Sequence, residues 1–402
     1  MKYSAKEVMQ YVAEEDVKFI RLAFCDVYGK QKNISVMPGE LPRAFRHGVA
    51  IDASAIRGFG EETHSDLFLH PDPSTITVLP WRPEHGRVVR MFCDIRRPDG
   101  SPFESDTRHL LKITEEKAEK EGFSFFFGSE LEFYLFQNDE EGNPTKKPYD
   151  NAGYMDIAPA DKGENVRREI CLTLEQMGIL PESSHHEDGP GQNEIDFHYA
   201  EPTVGADRVI TARSAIRTIA ARNGLYADFS PKPLESFAGS GMHINFSVKS
   251  DDREDVLPYA IAGILRYAPD MTAFLNPTEE SFLRLGNNKA PDRIAWSPEN
   301  RSTLIRIPAA EGEYRRAELR SPDATANPYL AYMLIIEAAL CGIREKMPLC
   351  PCADINFHTA ADAEKEKYAR LPKSADEAKR CAFDSDFIRR VIPSRLLDAY
   401  CK

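Results

Sequence analysis

Cysteine, tryptophan, positive charge and long apolar runs are what this sequence has least of. Eight cysteines are scattered through 402 residues without repeated C-x-x-C spacing, which excludes a disulfide framework and fits reduced thiols. A cytoplasmic protein is therefore expected. Only two tryptophans are present, and Trp296 reads as a packing residue. The most apolar helix-like run, Tyr329 to Ile343, is too short for a membrane span and carries Glu337. Near the N-terminus, Glu14, Glu15 and Asp16 come too early for an apolar signal segment. Lys and Arg number 51 against 64 Asp and Glu, a net charge of -13. That balance argues against polyanions, so neither nucleic acid nor a membrane is an expected partner. No G-x-x-x-x-G-K-[ST] loop occurs, and Gly239-Ser240-Gly241 precedes a strand pattern instead of opening a helix, so neither common nucleotide fingerprint applies. Cys350-Pro351-Cys352 near His358 has poor spacing for zinc and reads as a turn.

What is present is ordinary globular material, 42% hydrophobic and 29% charged, long enough for more than one domain. Ser4 to Glu15 suits a short helix with Ser4 and Glu7 at capping-box spacing, and Val17 to Asp26 and Arg87 to Ile95 read as strands. Turn formers cluster at Arg96 to Pro102, which places a boundary between a domain over 1–98 and a second over 99–402. Helices are expected over Asp106 to Glu121 with Gly122 as stop, Asn165 to Met177, and Asp207 to Asn223 closed by Gly224. Asn327-Pro328 is an N-cap and first-turn pair for an apolar helix from Tyr329 to Cys341, buried on every side.

Four segments combine strand periodicity with charge on one face. In Ser124 to Phe136, Glu130 and Glu132 share one face while Leu131, Phe133 and Leu135 share the other. In G-Q-N-E-I-D-F the polar set is Gln192, Glu194 and Asp196. In G-S-G-M-H-I-N-F-S-V it is His243, Asn245 and Ser247, and in R-R-A-E-L-R it is Arg316, Glu318 and Arg320. A wetted sheet face would account for any one of these strands. Four together, joined by His185, His186 and Glu187, ask for more. Adjacent carboxylates in a half-buried sheet are unfavourable unless a cation offsets them. Carboxylates with one or two histidines suit Mg2+ or Mn2+ better than zinc, and arginines on the same surface suit phosphate and carboxylate. The expected site holds two metals and performs phosphoryl chemistry.

These segments carry a resemblance. H-H-E-D-G-P-G-Q-N-E-I-D at His185 to Asp196, G-S-G-M-H at Gly239 to His243, N-P-T at Asn276 to Thr278, N-R-S-T-L-I-R-I-P at Asn300 to Pro308, R-R-A-E-L-R-S-P-D at Arg315 to Asp323 and A-N-P-Y-L-A at Ala326 to Ala331 resemble bacterial type I glutamine synthetases. The resemblance implies an α+β fold, an N-terminal beta-grasp domain plus a catalytic domain whose antiparallel sheet forms a funnel flanked by helices. It also implies a ring-shaped homo-oligomer, hexamer or dodecamer, with active sites between subunits. One metal would be held by Glu132, Glu187 and Glu194, and the other by Glu130, His243 and Glu318. ATP would lie near Glu182, Tyr199, Ser247 and Arg316, with Arg301 and Arg306 on its phosphates. Glutamate would contact Gly239, Arg284 and Arg320, and Asp52 would help bind and deprotonate ammonium. The reaction implied is ATP-dependent ligation of ammonia to the γ-carboxylate of glutamate through a γ-glutamyl phosphate. Two other readings are a γ-glutamyl-amine ligase using a larger amine or polyamine, and a catalytically silent, ring-forming regulatory homologue.

Departures from the family pattern gather near the amine site. Lys289 stands where a glutamate usually precedes Ala-Pro, in a flap loop one residue shorter. Ala238 replaces an asparagine, Asn245 a histidine, and D-A-S-A at Asp52 to Ala55 the usual D-G-S-S. The chain ends soon after D-A-Y-C-K, and the segment that locks two rings together in the family is expected to be missing, as is an adenylylation tyrosine.

Overall fold

Ser4 caps the first helix, Ala5–Glu14, and Glu7 returns a bond to the Ser4 backbone, the reciprocal pair that their spacing predicts. The computed structural model of the chain describes residues 3–60, 62–82, 85–310, 312 and 315–402. The two predicted N-terminal strands form as Val17–Cys25 and Arg87–Arg96 and lie side by side in parallel. Gln31–Val36 flanks the first, and Asp66–Pro71 followed by Val49–Asp52 flanks the second, all antiparallel. Cys25 and Cys93 are buried within this sheet.

The turn at Arg96 to Pro102 closes with Arg97 N donating to Ser101 O at 2.8 Å, and Gly100 takes a φ of 84°. Asp106 then caps Thr107–Lys120. The helix expected to begin at Asp207 begins earlier, as Pro202–Arg222, because Pro202 at the first position has a helical φ already and no N–H to satisfy. R-R-A-E-L-R contributes a shorter strand than its pattern suggests, Ala317–Leu319.

The site is carried by a larger sheet. Its order is Trp296–Pro298, Ile305–Ile307, Ala317–Leu319, Met242–Ser250, Phe123–Asn138, Gln192–Phe197, Pro181–His186. All neighbours are antiparallel except the first pair. Phe123–Asn138 is long enough to pair also with Leu225–Asp228 and Pro144–Pro148 at its far end. Its apolar face is fully buried at Leu131, Phe133 and Leu135, each side chain adding about 1.5–3 kcal/mol of hydrophobic stabilisation. Beneath lies Pro328–Arg344, with Asn327 Oδ1 accepting from Tyr329 N at 3.0 Å and Tyr332 stacked on Phe127 at 4.3 Å. It meets Leu257–Leu275 backbone to backbone: a Cβ on Gly263 would stand 2.1 Å from Ala338 O, and one on Gly342 2.1 Å from Tyr259 O.

Arg108 ties the N-terminal sheet to the helices that pack on the larger one. Its guanidinium donates to Asp72 at 3.0 Å, Asp94 at 2.9 Å and Asp207 at 2.9 Å, and Asp207 also accepts from Tyr329 Oη at 2.7 Å. At the other end, Tyr400 Oη donates to Val27 O at 3.0 Å and Tyr28 Oη to Ala399 O at 2.6 Å, so the last helix, Ser394–Cys401, clasps the N-terminal sheet. Among the described residues no helix is long and apolar enough to cross a membrane.

Candidate active site on the charged face of the larger sheet

Strand register brings the charged positions together. Glu130 sits opposite both His243 and Asp196, Glu132 opposite Glu194, and Glu318 opposite both Asn245 and Arg306. Because all lie on strands paired about Phe123–Asn138, their side chains emerge on one face. His243 Nδ1 donates to Glu130 Oε2 at 2.9 Å and lies 3.6 Å from Glu318 Oε1. Asn245 Nδ2 donates to the second Glu130 oxygen at 2.8 Å, and Arg316 Nε donates to Asn245 Oδ1 at 3.0 Å. A second group forms where His185 stands 3.7 Å from Glu187 and 3.8 Å from Glu194. Ligand atoms of Glu130, His243 and Glu318 fall within 4.8 Å of one another, as do those of His185, Glu187 and Glu194 and those of Glu130, Glu194 and Asp196.

The electrostatics of this face are unbalanced. Burial raises the carboxyls of Glu132, Glu187, Glu194 and Asp196, and neighbouring acids add to the rise at each. Glu194 is pushed well above the carboxylate range, with Glu132, Glu130 and Asp196 all adding to its burial. His243 goes the other way, down to about 3, through burial and the nearby Arg320. It is therefore a neutral imidazole, and its contact with Glu130 is a hydrogen bond rather than an ion pair. Glu132 gains some relief, accepting from Gly241 N at 2.7 Å and Gln192 Nε2 at 3.2 Å. Oxygen donors in excess of countercharge, with neutral imidazole beside them, are a donor set that fits hard divalent cations.

Arginines close the opposite wall. Glu318 is fully buried between Arg306, at 2.7 Å, and Arg320. Arg320 Nε also donates to Arg301 O at 3.0 Å. Arg284 is buried and aimed by Ser321 O at 2.8 Å and Arg320 O at 3.3 Å.

Two cavities share this face. One, of about 380 Å³, is lined by Glu130, Glu132, Glu187, Glu194, Gly239, His243, Arg284, Lys289, Arg301, Arg306, Arg316 and Arg320. The other, of about 130 Å³, is lined by Glu182, Tyr199, Ser247 and Arg316. They meet at Glu130, Asp196, Asn245 and Arg316. Of the sequence-predicted residues, Arg306 lies in the first cavity with the acids and not in the second with Glu182 and Tyr199. Asp52 lines neither. It is exposed in the N-terminal sheet, its carboxylate accepting from Ser54 N at 2.9 Å and Ser54 Oγ at 2.6 Å.

Lys289 reaches across the mouth of the larger cavity. Its Nζ donates to Asp188 at 2.6 Å and lies 5.3 Å from the centre of the Tyr154 ring. Asn288 and Lys289 both take positive φ, 43° and 69°, which is what the tight loop demands of them. Sequence reasoning passes over Tyr154 and Asp188, since both stand outside any periodic pattern. It does place Gln192, Asp196 and Asn245 on the charged face, without giving them roles.

Fold and site together define a two-domain α+β protein with a buried, acid-rich cavity rimmed by arginines. A family model described as glutamine synthetase, beta-Grasp domain, matches residues 16–98, and one described as glutamine synthetase, catalytic domain, matches residues 104–402. The chain belongs to the glutamine synthetase family. It is 39% identical over 416 residues to the glutamine synthetase of Clostridium saccharobutylicum, covering 99% of this chain and 94% of that one. To the glutamine synthetase of Methanosarcina mazei it is 41% identical over 411 residues, covering 98% and 92%. Among solved structures, a GmaS/ADP complex superposes with a TM-score of 0.88 at 26% identity over 98% of this chain and 94% of that chain. The Plasmodium falciparum glutamine synthetase gives 0.88 at 23% over 100% and 95%, a likeness of fold. The beta-grasp domain and catalytic domain expected from the motifs are thus the architecture found.

Proposed function

We propose that this enzyme makes glutamine from glutamate, ammonia and ATP, with 1–98 and 99–402 as its two domains. The observation that carries the reading is the meeting of the two cavities at Glu130 and Arg316, so that a nucleotide in the smaller one would present its phosphates to the carboxylates and arginines of the larger. Glu130, His243 and Glu318 would hold one divalent cation, Mg2+ or Mn2+, and Glu132, Glu187 and Glu194 the other. Bound cations of this kind neutralise charge on a transferring phosphoryl group.

Glu182, Tyr199, Ser247 and Arg316 would hold ATP. Arg284, Arg320 and the Gly239 backbone would hold glutamate with its γ-carboxylate facing the nucleotide. A carboxylate is a poor electrophile, so its oxygen first takes the γ-phosphoryl group, releasing ADP. Arg301 and Arg306 would offset the repulsion between the two anions. Ammonia then attacks the γ-carbonyl carbon, and the bond to phosphate breaks. Before that step ammonium must give up a proton, which Asp52 of a neighbouring subunit would accept. Its exposed place in the N-terminal sheet suits a group that serves another subunit. A homo-oligomer, hexamer or dodecamer, follows from that role, and the cytoplasm is the compartment we infer.

Phosphate release by the purified chain with ATP, Mg2+ and glutamate, comparing ammonium with a panel of primary amines and polyamines, tests this directly. Strong stimulation by ammonium with glutamine formed is expected. Stimulation by a larger amine alone would reject ammonia as substrate.

A further inference from the structure

Gln192 opens the strand Gln192–Phe197, lines the acid-rich cavity and is fully buried. A primary amide cut off from water must find partners for its oxygen and for both its N–H groups within the chain. The oxygen, Oε1, accepts from Gly189 N at 2.9 Å, with Tyr134 Oη at 3.3 Å. The loop presses close at this point, since a Cβ on Gly189 would stand 2.0 Å from Tyr134 Oη. These donors decide which way round the amide stands, so Nε2 faces the other side. There it donates to Glu132 Oε2 at 3.2 Å and to Gly239 O at 3.2 Å.

The two acceptors belong to different halves of the site. Glu132 Oε2 also accepts from Gly241 N at 2.7 Å. With that oxygen engaged twice, Oε1 is the one left for a cation; it stands 3.8 Å from His243 Nε2, beyond hydrogen-bond reach. Gly239 lies in the loop that would hold glutamate, and the same loop is held from behind. Tyr134 Oη donates to Ala238 O at 2.6 Å, and Ser240 N to Pro231 O at 3.0 Å. One amide nitrogen therefore joins the carboxylate of one ligand's site to the backbone of the other's.

We propose that Gln192 is a positioning residue that couples the cation at Glu132 to the glutamate at Gly239, so that each ligand strengthens the binding of the other. This rests on a cation and glutamate occupying this site. A cation drawing on Oε1 fixes the plane of the Glu132 carboxylate, and through Oε2 it fixes the Gln192 amide and the Gly239 carbonyl. The effect runs equally in the other direction, as equilibrium coupling requires.

Thermal unfolding of the full chain tests this without turnover. In the wild-type chain, the rise in midpoint caused by saturating glutamate should be larger in Mg2+ than in EDTA. Gln192→Met keeps the length of the side chain and removes the amide, and it should make the two rises equal. In phosphate-release assays the Mg2+ concentration for half-maximal rate should go up about 10–100-fold in this variant. Its KM for glutamate should go up at least about fivefold, while its KM for ATP should hold. Tyr134→Phe removes the bond to Ala238 O and leaves Glu132 alone, so it should shrink the glutamate effect in Mg2+ and in EDTA alike. A wild-type rise that is equal in the two media would overturn the proposal even if Gln192→Met did not fold. A folded Gln192→Met chain that melts earlier but keeps the Mg2+-dependent difference would also overturn it, while leaving both ligands in the site. Absence of any midpoint change with Mg2+ or with glutamate in the wild-type chain would instead remove the ligands from this site, and the coupling with them.

Discussion

Two buried clusters of charge stand in separate parts of this fold, and they are built to opposite rules. Around Arg108, three aspartates from three segments share one guanidinium, which lies well above its usual range because Asp207 and Asp72 outweigh the cost of burial. Around Glu194 the acids outnumber the bases, and the carboxyls rise. The first cluster is complete within the chain and holds domains together. The second is incomplete within the chain, and its missing charge is what a cation would bring. Balance separates a fastener from a site.

Emptying each cluster of one member should sharpen that contrast. Glu318→Gln keeps volume and removes one charge from the site, and we expect phosphate release to fall by at least about 10³-fold with an unchanged fold by circular dichroism. Full activity would remove Glu318 from the ligand set. Arg108→Leu should do the reverse, costing about 3–5 kcal/mol in urea unfolding because Asp207 and its neighbours are left buried and unpaired. Activity per folded molecule should be kept, and a selective loss of activity would break the comparison.

Proton linkage gives a smaller, signed effect. Glu132, Glu187, Glu194 and Asp196 all have raised folded-state values. Between the ordinary carboxylate range and those raised values the folded chain holds more protons than the unfolded one, so stability falls as pH rises through that window. Mg2+ bound to the same oxygens should offset the fall. The thermal midpoint of EDTA-treated protein should therefore drop below that of Mg2+-loaded protein by a gap of a few degrees that widens from about pH 5 to about pH 8. A gap independent of pH would mean that the cation acts elsewhere. Least of all, Lys289→Glu breaks an exposed ion pair and should change stability by less than about 1 kcal/mol. The KM for ammonium should fall a few-fold, and unaltered ammonium kinetics would take Lys289 out of the amine site.

Much of the site was legible because alternation along a strand is a local property. Glu130 and Glu132, Glu194 and Asp196, and His243 and Asn245 could be assigned to one face from spacing alone. Which faces meet was not legible from spacing, since the pairing of Glu130 with His243 or of Glu318 with Asn245 depends on strands far apart in sequence. Loop residues were hidden for a related reason: Tyr154 and Asp188 are brought to Lys289 by chain path, with no period to announce them. Helix caps such as Ser4 and Asn327, being local, were read directly.

The long strand Phe123–Asn138 has a bearing on how the protein comes to exist at all. Apart from Glu187, which follows the strand Pro181–His186, the acids of the site lie on this strand or on strands that pair with it or with its neighbours, across separations too wide for early encounters, so its completion belongs to a late, slow stage of folding. Repulsion between the acids is then absent from the disordered chain and arises only as the sheet closes. A divalent cation offered during refolding would act at that moment, speeding closure if the carboxylates already meet at the barrier, and only slowing unfolding if they meet after it.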